Sequence, residues 1–368
     1  MKKLLLILAM TPFYSFAGGG GSPECNGPGE TKVSWPTNEP VFELCYLGPE
    51  QSSAVDGSSL EIRDVYFNGF LAIERSHIPM LFAEYEGGTC YRDWKDVDSE
   101  FLRPDAIENP LRAAITTCDA STSPTQTVGN CPFDNVNGGG SVGSSSDCTT
   151  GVTVEKYDDR MVLTSNHSAD WYKYSSRYTF YLDGRIAPRF GFGNSTGTLD
   201  DTTHYHHAYW RVNFDIDGSD NDQVFIDDAL ASMEFTDLRD EANDTNWSVI
   251  DSVTGRGYRV EATPEDYLIT GQTTGAGFHR IDIMATAYKN EEYADTPGNN
   301  LFDCRMNEDN LVNDESITED VVFWYRAAVQ DIADVGLVCK FAGPIFYPIG
   351  DWELFDPDVV FETGFEAL

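Results

Sequence analysis

Basic residues are scarce in this chain: 24 Lys and Arg stand against 61 Asp and Glu, a formal net charge of -37. Phosphate contacts require clustered Lys and Arg, so a general nucleic-acid-binding role is excluded. Beyond the N-terminal residues no apolar run approaches the roughly 20 residues of a bilayer-spanning helix, so no transmembrane segment is expected. Helical periodicity is almost absent, and 227–235 offers at most one short helix. Accordingly, nowhere does a strand run through a Gly-rich turn into a helix. That is the setting of a nucleophile elbow, a phosphate loop or a dinucleotide fingerprint. No two cysteines have CxxC spacing, which leaves a zinc or thioredoxin-like site little support. No segment repeats along the chain, which argues against a solenoid.

What is present begins with a secretory pattern. Lys2 and Lys3 precede an apolar core over 4–10, and Ser15-Phe16-Ala17 supplies small residues at the two positions a signal peptidase reads. A signal peptide over 1–17 is expected, with a soluble product beginning near Gly18 and a secreted, periplasmic or extracellular location. Eight cysteines follow: Cys25, Cys45, Cys90, Cys118, Cys131, Cys148, Cys304 and Cys339. An even number in an exported chain implies disulfides, whose pairing sequence alone does not give. With 41% hydrophobic and 13% aromatic residues the chain can build a large core. Its acidity has three physical uses: solubility in salty surroundings, calcium binding in Asp-rich loops, and attraction of cationic ligands.

After a Gly-rich lead over 18–32, short β-type runs recur, as at 41–45 and 60–66, separated by Gly, Asn, Asp and Pro. That rhythm predicts a mostly β protein, a large antiparallel sandwich over 33–350. A Gly/Ser-rich stretch over 119–150 reads as a long surface loop, and 351–368 as an acidic tail. Two strands carry the chemistry. Along 172–182 the even positions are Tyr172, Tyr174, Ser176, Tyr178, Phe180 and Leu182, so Tyr172 shares a face with the apolar set. Asp183-Gly184 then turns the chain into a second strand. Along 204–216 the even positions are His204, His206, Ala208, Trp210, Val212, Phe214 and Ile216. The inward face thus opens with two histidines about 7 Å apart at Cβ, a spacing that lets two imidazoles share a metal ion or simply pack a core. His207 falls on the opposite, outward face and is expected to do nothing specific.

These segments together resemble the catalytic domain of copper amine oxidases. That family carries Asn-Tyr-Asp/Glu-Tyr on a strand, a Gly-x-Ile hairpin, and His-x-His leading into Arg-Leu-Asp-x-Asp-x-Asp-Gly. The corresponding stretches are Trp171-Tyr172-Lys173-Tyr174, Gly184-Arg185-Ile186, His204-Tyr205-His206 and Arg211-Val212-Asn213-Phe214-Asp215-Ile216-Asp217-Gly218. Tyr91-Arg92-Asp93 is similar to the family's Tyr-x-Asp. The 320–325 segment is similar to the strand that brings the third copper histidine.

The resemblance implies a shortened, exported enzyme that converts primary amines to aldehydes with O2. It implies copper on His204, His206 and a third ligand, topaquinone formed from Tyr172, and Asp93, preceded by Tyr91, as general base. It also implies a peripheral Ca2+ on Asn213, Asp215 and Asp320, with carbonyls from Phe214 and Val321, and a homodimer. The chain departs from the family at telling places. The third histidine falls at Gln330 or Asp331, with the ungapped count favouring Asp331, and Trp171 replaces the Asn before the cofactor Tyr. Lys173 replaces the acidic residue after it, and Trp94-Lys95 replaces Gly-Glu after the base. A donor set of two histidines and one carboxylate suits Fe(II), Mn(II) or Zn(II) as well as copper. Two other functions follow from the same residues. One is a metal-binding pseudoenzyme of this fold. The other is a cell-surface interaction protein, which the acidity and the Phe361 to Glu366 tail support.

Overall fold

The computed structural model describes residues 20–48, 51–53, 59–85, 90–92, 152–169, 172–194, 202–242, 245–267, 281–289, 311–334 and 339–353; of Tyr91 and Tyr172 it describes the backbone. The chain first lays down β1 (Thr31–Trp35), β2 (Phe42–Leu47), β3 (Glu61–Phe67), the long β4 (Phe70–Tyr85) and β5 (Cys90–Arg92) as neighbours in one sheet. It crosses to a second sheet with β6 (Thr153–Lys156), β7 (Arg160–Ala169), β8 (Tyr172–Tyr181) and β9 (Ile186–Asn194). Strand β10 (His204–Asn213) returns to the first sheet beside β4. Strands β11 (Asp222–Ile226) and β12 (Ala229–Ala231) join the second sheet, and β13 (Phe235–Asp237) the first. Strands β14 (Trp247–Asp251) and β15 (Gly257–Glu261) belong to the second, and a single turn of helix, α1 (Pro264–Tyr267), follows. The first sheet is completed by β16 (Ile283–Ala287) and β17 (Val321–Asp331), the second by β18 (Cys339–Ala342) and β19 (Ile345–Ile349).

Every strand pairing among the described residues is antiparallel, and β10 lies between β4 and β17. The two sheets share one core. Tyr174, Tyr178 and Phe180 of β8 and Phe190 and Phe192 of β9 meet Ala208, Trp210 and Val212 of β10 and Phe323, Tyr325 and Val329 of β17. Tyr178 meets Trp210 edge-on with ring centres 5.0 Å apart, and its hydroxyl donates to Ser76 Oγ at 2.9 Å. Aromatic edge contacts of this kind add about 0.5–1.5 kcal/mol to simple burial. They join the sheet of β8 to the sheet of β10, and that junction sets the position of the site.

The hairpin expected at Asp183-Gly184 joins β8 to β9: Gly184 takes φ +87° and its N–H donates to the Tyr181 carbonyl at 2.9 Å. The stretch 227–235, which by sequence offered at most a short helix, forms none. Asp227 and Asp228 both adopt left-handed φ, +47° and +65°, and close a tight hairpin between β11 and β12. Aspartate tolerates that conformation, and two such residues in succession suit a two-residue hairpin turn. Cys25 and Cys45 form a disulfide, which ties the Gly-rich lead to β2. Trp352, assigned to the tail from sequence, is buried against Phe67 and Tyr258. The signal segment and the 119–150 loop lie outside the described residues.

Candidate functional site

Strand β10 is buried along its whole length. Its even residues face the inter-sheet core, as alternation requires, so His204 and His206 enter the sandwich at the end where β10 meets Tyr85 of β4 and Asp331 of β17. Their rings lie 4.9 Å apart, nearly perpendicular. Aromatic neighbours fix both: Tyr85 stacks on His204 at 4.6 Å, and Phe192 stacks on His206 at 3.9 Å while presenting its edge to His204.

Asp331 stands directly opposite His204 in the β10–β17 register. Its Oδ2 lies 3.7 Å from His204 Nε2, and its side chain is buried. Gln330, the other position considered for a third ligand, bonds the Tyr205 hydroxyl at 3.0 Å instead. The other ring nitrogen of His204, Nδ1, lies 3.0 Å from the Thr202 carbonyl oxygen. A carbonyl only accepts, so Nδ1 carries a proton, and Nε2 is the ring nitrogen turned toward Asp331. A buried ring nitrogen and a carboxylate oxygen thus face each other: with a proton on Nε2 they form an ion pair, and with Nε2 unprotonated they are two donors turned to a common point. Two ligands bound at about 2.0–2.1 Å around a tetrahedral ion stand about 3.4 Å apart, close to the observed gap.

His206 is held in a complementary way. Its Nδ1 lies 2.8 Å from the hydroxyl of Tyr174, two residues after Tyr172 on β8. Burial, reinforced by His204 and His207, holds its pKa well below the ordinary histidine value, so it is neutral and able to act as a ligand. Among the described residues no three His, Cys, Asp or Glu side chains already stand in metal-holding geometry. The donor chemistry of His204, His206 and Asp331 fits a divalent first-row ion, and side-chain adjustment would have to close the set around it.

The remaining residues of the expected catalytic set are placed by backbone alone or not at all. Tyr172 opens β8, opposite Asn194 of β9. Tyr91 pairs with Ala83, which pairs in turn with His206, so Tyr91 lies in register with the histidine two strands away. Asp93, Trp94, Lys95 and Trp171 lie outside the described residues.

Three comparisons bear on this arrangement. No protein-family model and no curated protein matches the sequence. Solved structures do match. A copper-containing benzylamine oxidase from Hansenula polymorpha aligns with TM-score 0.60 and 12% identity, over 88% of this chain and 61% of that one. The Pichia pastoris lysyl oxidase aligns with TM-score 0.58 and 14% identity, over 84% and 52%. An Aspergillus nidulans amine oxidase gives 0.57 and 14%, over 84% and 50%. The fold is that of a copper amine oxidase domain. This chain spans between half and about three fifths of the lengths of those oxidases.

A second group of donors lies where β10 runs out. Asn213, Asp215, Asp222 and Asp320 each have a buried side-chain oxygen, Oδ1, that accepts no hydrogen bond among the described residues. Burial, Asp320 and Glu74 push Asp215 up to about 7, with Arg211 opposing. Burial, Asp215, Asp251 and Asp320 push Asp222 up to about 9 against a hydrogen bond from the Ile216 N–H. Burial and Glu74 push Asp320 up to about 6. Asn213, Asp215 and Asp320 are residues the sequence resemblance pointed to; Asp222 is not, and no pattern distinguishes it among the many aspartates.

The opposite face of β10 departs from expectation. His207 does not face solvent: it is fully buried, with Nδ1 3.1 Å from the Arg326 guanidinium and Nε2 3.3 Å from Glu84. Arginine only donates, so Nδ1 accepts and Nε2–H points to Glu84. Burial pushes the His207 pKa down to about 4, keeping it neutral. Arg326 continues to Asp282, which also receives the Arg239 N–H at 2.9 Å. Arg239 reaches the Tyr325 hydroxyl at 2.5 Å, and that hydroxyl donates to Asp266 at 3.1 Å.

Proposed function

We propose that this protein is an exported metalloprotein of amine-oxidase type, acting on small primary amines with O2. The observation that carries the proposal is the buried His204 Nε2 facing Asp331 Oδ2 3.7 Å away, with His206 beside it, in a fold shared with copper amine oxidases. Export is supported by the N-terminal pattern and by the Cys25–Cys45 disulfide, a bond favoured in oxidising compartments. Copper with a topaquinone at Tyr172 would supply the electron sink that takes two electrons from the amine and passes them to O2.

The chain's own residues then have defined tasks. His204, His206 and Asp331 hold the ion, and Phe192 and Tyr85 shield its imidazoles from water. Asp93 takes the proton from the carbon bearing the amine. In balance, amine, O2 and water give aldehyde, ammonia and H2O2. A carboxylate as third donor favours Cu(II) over Cu(I), so turnover is slow. The test is amine-dependent H2O2 release from copper-loaded protein in air, with Tyr172→Phe as control. Weak release that the control lacks is expected; release no greater than the control would reject oxidase activity and leave a metal-binding pseudoenzyme.

Asn213, Asp215 and Asp320 supply hard oxygens suited to Ca2+, the second cation of this proposal. Asp215 has a folded pKa raised from the usual carboxylate range to about 7. Without a cation, its contribution to stability is present below about pH 4 and lost as pH rises towards 7. Ca2+ binds the ionised carboxylates, so its stabilisation grows over the same window. Millimolar Ca2+ is therefore expected to raise Tm by several degrees at pH 8 and by much less at pH 5, and Asp215→Asn should remove most of the difference. Thermal melts with Ca2+ or chelator at the two pH values check this, and an equal response at both would count against the site.

A further inference from the structure

Tyr174 belongs to the site by contact, yet no part of the proposed chemistry uses it. It is fully buried, with its ring stacked on Phe190 at 5.7 Å and tilted against Phe192 at 5.8 Å. Its hydroxyl reaches from the β8 sheet to the β10 sheet and stops 2.8 Å from His206 Nδ1, with the two rings edge to face at 5.3 Å. This approach fixes two things. First, the hydroxyl sits at the nitrogen that a ligand His206 would not use if Nε2 faces the ion, so the Tyr174 phenol is on the wrong side of the ring to bind that ion itself. Second, whichever atom donates in this bond decides which ring nitrogen carries the proton and which the lone pair.

We propose that Tyr174 is a positioning residue: its hydroxyl oxygen accepts the Nδ1–H of His206 and holds that imidazole in the tautomer whose Nε2 can bind a metal. The assignment rests on the metal site proposed above. It makes His206 the counterpart of His204, whose Nδ1–H is held by the Thr202 carbonyl at 3.0 Å. Both histidines then present Nε2, one held by the carbonyl just before its own strand and the other from across the sandwich. Groups that hold the second nitrogen of a ligand histidine set its orientation and its basicity, and their loss typically weakens metal binding about 10–100-fold. It also separates Tyr174 from Tyr172 on β8: Tyr174 orients a ligand, leaving Tyr172 as the residue available for oxidation.

Tyr174→Phe removes the hydroxyl and keeps the ring that packs on Phe190 and Phe192, so the fold should survive, as a circular dichroism melt would show. Two measurements on the full chain test the role. Long-range 1H–15N correlation of histidine-labelled, metal-free protein reads the tautomer of each of the six histidines. Zn(II) titration, chosen because the ion is diamagnetic and redox-inert, reads affinity without activity. The expected result is an Nδ1–H tautomer for His206 in the parent that is lost or mixed in Tyr174→Phe, with Zn(II) affinity lowered about 10–100-fold. A parent His206 protonated at Nε2, or a variant unchanged in tautomer and affinity, would overturn the role. A parent that shows the Nδ1–H tautomer, loses it in the variant, and binds no Zn(II) would support the hydrogen-bond role while rejecting the metal site.

Discussion

With His204 and His206 both changed to alanine, the protein is expected to lose stoichiometric binding of Cu(II) and Zn(II). The two imidazoles are buried, adjacent and held by neighbouring aromatic rings, so they are the donors an entering ion would meet together. Removing them leaves Asp331 as a single carboxylate, too few donors to compete with water for a first-row ion. Metal content after dialysis, measured by atomic emission on parent and variant, decides the matter. A double variant that holds the same ion at the same ratio as the parent would show that the ion sits elsewhere.

Asp282→Ala is expected to destabilise the protein by about 3–5 kcal/mol, enough to lower Tm sharply or prevent recovery of folded protein. Arg326 donates to Asp282 through Nε at 2.8 Å and through its terminal NH2 group, and Arg239 donates its backbone N–H at 2.9 Å. All three side chains are buried. The two guanidiniums hold the Asp282 carboxyl below the usual carboxylate range, the Arg326 charge contributing most, although burial acts against them. Truncating the carboxylate leaves the buried Arg326 guanidinium without its carboxylate, while Arg239 keeps Asp266 at 3.4 Å; an uncompensated buried charge is costly. The contrast is Asp159→Ala, which removes an exposed partner of Arg160 and should change stability by no more than about 0.5 kcal/mol. Comparable losses for the two substitutions would mean that the network is not what holds this face of β10 together.

The alternation of β10 was legible in the sequence because the period of a strand is two, so every second residue from His204 to Ile216 had to share a face. The same holds for β8, whose hairpin was announced by Asp183-Gly184. The burial of the other face of β10 was not legible. Tyr205, His207, Tyr209 and Arg211 read as an outward polar face, yet this strand is central and covered on both sides. The polar residues there are satisfied by partners from remote segments: Glu84 and Arg326 for His207, and Gln330 for Tyr205. Such pairs are set by strand register, which no local pattern reveals. Asp331 shows the reverse: counting along the chain placed it at the third-donor position, and the β10–β17 register sets it opposite His204. Tyr174 had the right face but no marker separating it from Tyr172 or Tyr178, because its partner lies in the other sheet.

The most direct test of the central claim is peptide mass spectrometry of the β8 segment after the protein has been loaded with copper in air. The account predicts that a fraction of the Tyr172 side chain gains two oxygen atoms and loses two hydrogens, with the matching quinone absorbance, while Tyr174 stays unmodified. Asp331→His should raise the converted fraction. An unmodified Tyr172 in both the parent and Asp331→His, or conversion at Tyr174 instead, would contradict it.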